Sequence, residues 1–172
     1  SMPLTISAIG YYSVTLTDYL KGKSLLIYLS PKVYEINEIV LKSKSYVRQR
    51  RTYLRFFKNE FIGKSLNAKH CKIRNEQDIT FNYENAKDTL KAFALKPILV
   101  DNFSLGYSIT YYLDKFEYYP KSDVLFFSGN IIFNADLTTD ETKNEIDQKR
   151  RDAFLGSRMH FFRALWANNL KL

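Results

Sequence analysis

His70 and Cys71 are neighbours, His160 and Arg163 lie three residues apart, and Arg48, Arg51, Arg55 and Lys58 recur at spacings of three or four. A thiol beside an imidazole could make a nucleophile or part of a metal shell. A zinc site needs three or four ligands, and the chain holds only two histidines and one cysteine. Carboxylates would have to complete it. A cysteine and histidine pair in catalysis would need His160 carried across the fold to Cys71. No two acids stand in a distinctive local arrangement, and no glycine-rich phosphate loop or nucleophile elbow is present. We therefore expect no catalytic residue, no metal and no cofactor, with Cys71 a small core side chain.

Two constellations remain as binding candidates. In "GSRMHFFRAL", His160 and Arg163 share a helical row with the small residues Gly156 and Ala167, which makes them a candidate polar contact site; satisfying carbonyls inside the fold is the plainer role. The second candidate is cationic. Of 26 Lys and Arg, 11 fall between residues 42 and 74 against a single acid, Glu60, and the rest of the chain holds 15 bases and 17 acids. The whole excess of the +8 net charge thus sits in one segment. At a helical step, Arg48, Arg51, Arg55 and Lys58, with Lys44, occupy one stripe. Tyr46, Val47, Tyr53, Leu54, Phe57 and Phe61 occupy an adjacent arc, with Phe56 off both and Arg50 intruding on the apolar side. A stripe of this kind suits an anionic partner or a solvated face. Because most rings belong to the arc a helix would bury, base stacking is disfavoured and nucleic acid is an unlikely partner, while an acidic membrane surface stays open.

The elements that position these residues follow from periodicity. "PLTISAIGYYSVTLT", "SLLIYLSP" and "EINEIVL" read as short strands separated by turns, as in a sandwich. Helical spacing takes over at 46–62 and Gly63 stops it. Residues 64–78 read as a long irregular connection. Beyond them Ile79, Phe81 and Tyr83 alternate, "ENAKD" turns, and "TLKAFAL", "PILVDNF", "YSITYYLDKFEYY" and "VLFFSGNIIF" continue a meander. In the long strand Tyr107, Ile109, Tyr111 and Leu113 line one face and Tyr112, Phe116 and Tyr118 the other, so both faces call for cover. Thr138 and Glu141 suggest a capping box for a second helix running toward Asn168. Leu155, Met159, Phe162 and Trp166 form its apolar stripe, and Gly156 marks a break or a close approach. No run of apolar residues is long enough for a transmembrane helix.

"ISAIGYYS" and "LLIYLSPKVYEINEIVL" resemble the second half of the carboxypeptidase regulatory-like domain, a transthyretin-like sandwich. Ser7, Gly10 and Tyr11, then Leu29 and Pro31, then Glu38, Ile39 and Val40 carry the likeness. The family's first half has no counterpart in this chain. "FFKNEFIGKSLNAKHCKIRN", "LGYSITYYLDKFEY" and "GSRMHFFRAL" resemble the region following such a domain in bacterial envelope proteins. The resemblance implies a periplasmic or outer-membrane-associated setting, a signal peptide ahead of Ser1, further chain beyond Leu172, and docking rather than chemistry.

The reading is an α+β fold: an antiparallel β-meander packed by two amphipathic helices, preceded by strands of a truncated β-sandwich. Residues 1–41 form the partial regulatory-like unit and 42–172 the α+β domain. The leading function is a non-enzymatic extracytoplasmic module that binds a protein or glycan partner. An anion-binding module for acidic lipid or nucleic acid, using the stripe at 46–62, is the alternative. A hydrolase built on His160, Arg163 and an acid is the third class.

Overall fold

Thirteen residues of unbroken strand character, Tyr107–Tyr119, form the axis of the sheet. In the computed structural model, which describes residues 3–19, 22, 24–32 and 44–169, with side chains of the first helix described from 47 onward, the chain is an α+β fold on antiparallel strands. A hairpin of β1 (Leu4–Ile6) and β2 (Val14–Leu16) comes first, then α1 (Lys44–Ile62). The main sheet holds β3 (Cys71–Ile73), β4 (Ile79–Glu84), β5 (Thr89–Ala94), β6 (Ile98–Asn102), β7 (Tyr107–Tyr119) and β8 (Val124–Asn134). Two helices close the chain, α2 (Lys143–Phe154) and α3 (Arg158–Trp166).

Along one edge of β7 runs β8, from Ser108↔Asn134 to Tyr119↔Val124. The other edge is shared: β6 pairs with Tyr107 to Tyr111, and β5 pairs with Glu117 and Tyr118. Since β5 and β6 both run antiparallel to β7, residues 89–102 behave as one strand broken at Leu95–Pro97. Proline lacks the N–H a ladder needs, which explains a break at this point. The break leaves β7 residues 112–116 without a ladder partner on that edge. Beyond the two halves, β4 pairs with β5 and β3 with β6.

Within that same unpaired stretch the β7–β8 register slips between Leu113 and Lys115. A bulge adds one residue to one strand and shifts the alternation by one. Asp114 is that residue. Tyr111 and Leu113 before it, and Phe116 and Tyr118 after it, therefore share a face, where uninterrupted alternation would have set them on opposite sides. All four belong to or pack against one core with Ile73, Ile79, Ala92, Ala94, Ile98 and Val100. Gly129 of β8 is required opposite: a Cβ there would lie 2.6 Å from the Tyr111 ring and closer still to the Tyr112 carbonyl oxygen.

That face is covered by α1. Phe57 is fully buried, with its ring centroid 4.7 Å from that of Phe116 and 4.9 Å from that of Phe61. Phe56, which the periodicity leaves outside the apolar arc, reaches Tyr118 at 4.3 Å. Tyr53 stacks near Tyr83, and Val47 is exposed. Lys44 and Tyr46 lie outside the described side chains. Gly63 ends the helix with φ +89°, and its N–H donates to the Asn59 carbonyl. Left-handed backbone of this kind suits glycine.

Four further sequence expectations, besides the opposite faces expected for Leu113 and Phe116, need correction. Residues 64–78 are not an irregular connection: two 3-10 turns flank β3, and buried Asn75 holds it by donating to the Pro97 carbonyl while accepting from the Leu99 N–H. Residues 24–30, expected as a strand, have no strand structure; the Tyr12 N–H donates to Ser30 O and the Lys32 N–H to Gly10 O around one isolated bridge, Tyr11↔Pro31. The strand expected at 35–41 lies outside the described residues. Thr138 caps no helix, because its hydroxyl donates to Gly106 O and α2 begins after Thr142. Finally, the terminal helix breaks at Gly156, φ +75°, as its glycine implied, but its apolar stripe is not buried. Leu155, Met159, Phe162 and Trp166 are exposed, Trp166 at 94%. Only Ile146 of α2 is buried, beside Gly106, while Arg150 lies over the Tyr107 ring and donates to the carbonyls of Leu105 and Gly106 and to Thr138.

Candidate functional site

The cationic candidates sit on the side of α1 turned from the core. Arg48, Arg51 and Arg55 are exposed, and none forms an ion pair among the described residues. At 1.5 Å of rise per residue the three guanidinium groups span about 10 Å of helix. Lys58 does not share this freedom, because its ammonium lies 2.6 Å from Glu76 Oε1. Arg50, the base within the apolar arc, donates through Nη2 to the carbonyls of Glu76 and Ile79. It thereby closes off the start of β4, an edge strand. The opening chemistry of this segment thus divides by role: two bases fasten the helix to the turn before β4, and three face solvent.

His160 and Arg163 meet at the elbow between α2 and α3. Ser157 caps α3 by accepting from the His160 N–H, and His160 Nδ1 accepts from the Gly156 N–H. Arg163 lies 5.6 Å from the centroid of the Phe154 ring, which itself sits 5.1 Å from the imidazole. Neither residue makes an ion pair among the described residues. His70 and Cys71 part company: His70 is exposed, whereas Cys71 packs against the core and its thiol points to the Asn67 carbonyl. Burial pushes the Cys71 thiol up from its ordinary value, which lowers its thiolate fraction at neutral pH.

One constellation has no counterpart in the sequence reading. Lys32 crosses to the unpaired stretch of β7, where its ammonium donates to Leu113 O at 2.6 Å and lies 3.5 Å from Asp114 Oδ1. The side chains are 4% and 22% exposed. Asn130 of β8 adds bonds to the Ser13 carbonyl and hydroxyl and accepts from Thr15. The N-terminal segment is thus pinned to the sheet face opposite α1, over the bulge. Between them opens a cleft of about 230 Å³, lined by Ile9, Tyr11, Lys32, Pro97 and Tyr112 among others. Burial lowers the Lys32 pKa and raises that of Asp114, each against the pull of the partner charge. Desolvation therefore outweighs attraction at both groups. This pair fastens the fold, and both its charges are engaged.

A signal for the bulge was present. In "YSITYYLDKFEYY" the apolar phase runs on odd residues to Leu113 and on even ones from Phe116, and the acid Asp114 stands at the slip. Nothing local marks Lys32 as its partner, 82 positions away. No protein-family model, no curated protein and no solved structure matches this chain.

Proposed function

We propose that the protein is a non-enzymatic binding module that docks on an acidic glycan through Arg48, Arg51 and Arg55. The observation that carries this reading is a row of exposed, unpaired guanidinium groups along one helix. Lys58, Lys64, Arg74, Lys87, Lys91, Lys96, Lys115, Lys121, Lys149 and Arg150 each stand within 4 Å of a carboxylate. Arg48, Arg51 and Arg55, three of the four arginines of α1, lie in a row with no ion pair among the described residues; Lys69, Lys72, Lys143, Arg151, Arg158 and Arg163 also lack one, so it is the row along one helix that sets the three apart. Guanidinium groups at this spacing can each take one carboxylate or sulfate of a linear polyanion. The aromatic side of the same helix is occupied by the core, which argues against a nucleotide-stacking role. The envelope setting rests on the regulatory-like resemblance of residues 4–41.

Titration of the purified protein with fluorescent acidic and neutral polysaccharides tests the reading. Binding to the acidic polymer should weaken steeply between low and moderate salt, and R48Q/R51Q/R55Q should abolish it while leaving the far-ultraviolet spectrum unchanged. Equal binding of the neutral polymer, or full binding by the triple variant, would overturn it. Preference for acidic lipid vesicles or for DNA under the same conditions would replace the glycan with that polyanion.

A further inference from the structure

Sheet edges invite pairing with other chains, and proteins guard them by shortness, charge or proline. Two of the three edges of the main sheet are guarded. β3 has three residues and carries Lys72. β4 has Arg50 bonded to its first carbonyl and Glu84, bridged to Lys87 and Lys91, at its end. β8 has neither defence. Its eleven residues, VLFFSGNIIFN, include no charge and no proline, it pairs only with β7, and none of its backbone groups bonds elsewhere among the described residues. Val124, Phe126, Phe127, Ile131 and Phe133 are exposed along it.

The order of these residues says what fits. About Gly129 the strand is nearly symmetric: Ser128 and Asn130 are polar, Phe127 and Ile131 apolar, Phe126 and Ile132 apolar, Leu125 and Phe133 apolar. We propose that β8 pairs antiparallel with β8 of a second copy of this chain, with Gly129 facing Gly129 on the two-fold axis. Every apolar residue from Leu125 to Phe133 then meets an apolar one, and the two polar residues meet each other. The pairing faces agree, because Leu125, Phe127, Ile131 and Phe133 share the α1 side of the sheet and Phe126, Ser128, Asn130 and Ile132 the opposite side. Two chains of net charge +8 meet along a strand with no charge of its own, so repulsion is least at this edge. A two-fold axis through Gly129 also sets both α1 helices on one side of the joined sheet.

Sedimentation equilibrium across the micromolar range should give twice the 20.2 kDa chain mass. Phe126→Lys, which sets a charge against Ile132 of the second copy at two places, should weaken the dimer by roughly a hundredfold, about tenfold per contact. Ile131→Lys serves if that variant does not fold. The register is read by mixing Phe126→Cys and Ile132→Cys proteins, both carrying Cys71→Ser. Facing residues in an antiparallel pair suit a disulfide, so a mixed disulfide dimer should form on oxidation, and a Val124→Cys and Ile132→Cys mixture should give none. A monomer throughout, or a dimer unaffected by Phe126→Lys, would overturn the proposal. So would a monomer whose β8 amides resist hydrogen exchange, since another stretch of the same chain would then occupy the edge.

Discussion

Helices α1 and α3 carry similar aromatic loads and meet opposite fates. Phe57 of α1 is fully buried, whereas Phe162 of α3 is 59% exposed. Both helices show apolar residues at helical spacing, so spacing does not separate them. What separates them is the surface each one meets. The bulge at Asp114 gathers Tyr111, Leu113, Phe116 and Tyr118 onto one face and gives α1 a continuous apolar floor. At the other end of β7, Tyr107 is already paired with Phe133 and covered by Arg150 of α2, and the chain turns away at Gly156 before α3 begins. Amphipathicity proposes a buried face, and the partner surface decides whether it is used.

The sharpest break in this comparison is an alanine at each ring. Phe57→Ala should cost about 3–5 kcal/mol in denaturant unfolding, and Phe162→Ala less than about 0.5 kcal/mol. Comparable losses at the two positions would mean that α3 packs in solution. Gly129→Ala tests the floor itself. Its methyl group would drive into the Tyr111 ring and the Tyr112 carbonyl, for an expected loss of about 1–3 kcal/mol.

Lys32 and Asp114 test the opposite face. Lys32→Met alone leaves the Asp114 carboxylate and the Leu113 carbonyl without their partner, at an expected cost of about 2 kcal/mol. Replacing both with apolar residues should recover most of that loss, since desolvation outweighs attraction at each group. The pH dependence carries a sign. Burial raises the Asp114 pKa in the folded state, so the native protein holds more protons between the unfolded and folded values, and stability falls as pH rises across that window. Thermal melts should accordingly show the native protein losing stability relative to Asp114→Asn as pH rises through the upper carboxylate range. A constant difference would remove burial as the governing effect.

The smallest contrast lies within α1. Arg50→Gln removes two bonds to backbone carbonyls and should cost about 1 kcal/mol, while Arg51→Gln, one position on, should leave stability unchanged. Equal effects at the two sites would erase the division between fastening and solvent-facing bases.

The α+β class and the meander were legible because their signals are local. Alternation at Ile79, Phe81 and Tyr83, the helical arc of α1 and the glycine stops at 63 and 156 all reside within a few residues. Both long hairpins were also readable at their turns, and the structure adds a shared device: Tyr83 donates to Asp88 and Tyr118 to Asp123, each aspartate lying five residues on with positive φ. What escaped depends on distant pairing. β3 exists because Asn75 and β6 hold it, and Lys32 matters because β7 leaves a gap. The stripe at Leu155, Met159, Phe162 and Trp166 looked like a core face because periodicity records only that a face exists. At the candidate site, Arg48, Arg51 and Arg55 kept the placement their spacing implied. Lys58 did not, because Glu76 reaches it from another element.

The clasp formed by Ile146 and Arg150 bears on how the molecule opens. Among the described residues, α2 reaches the start of β7 through the Ile146 side chain beside Gly106 and the Arg150 guanidinium over Tyr107. A unit attached in this way can peel away without disturbing the α1 core, so its amides should exchange through sub-global opening well before those of β5 and β7. The C-terminal helices would then act as a flap with its own lower melting threshold, and Arg150 would be its latch.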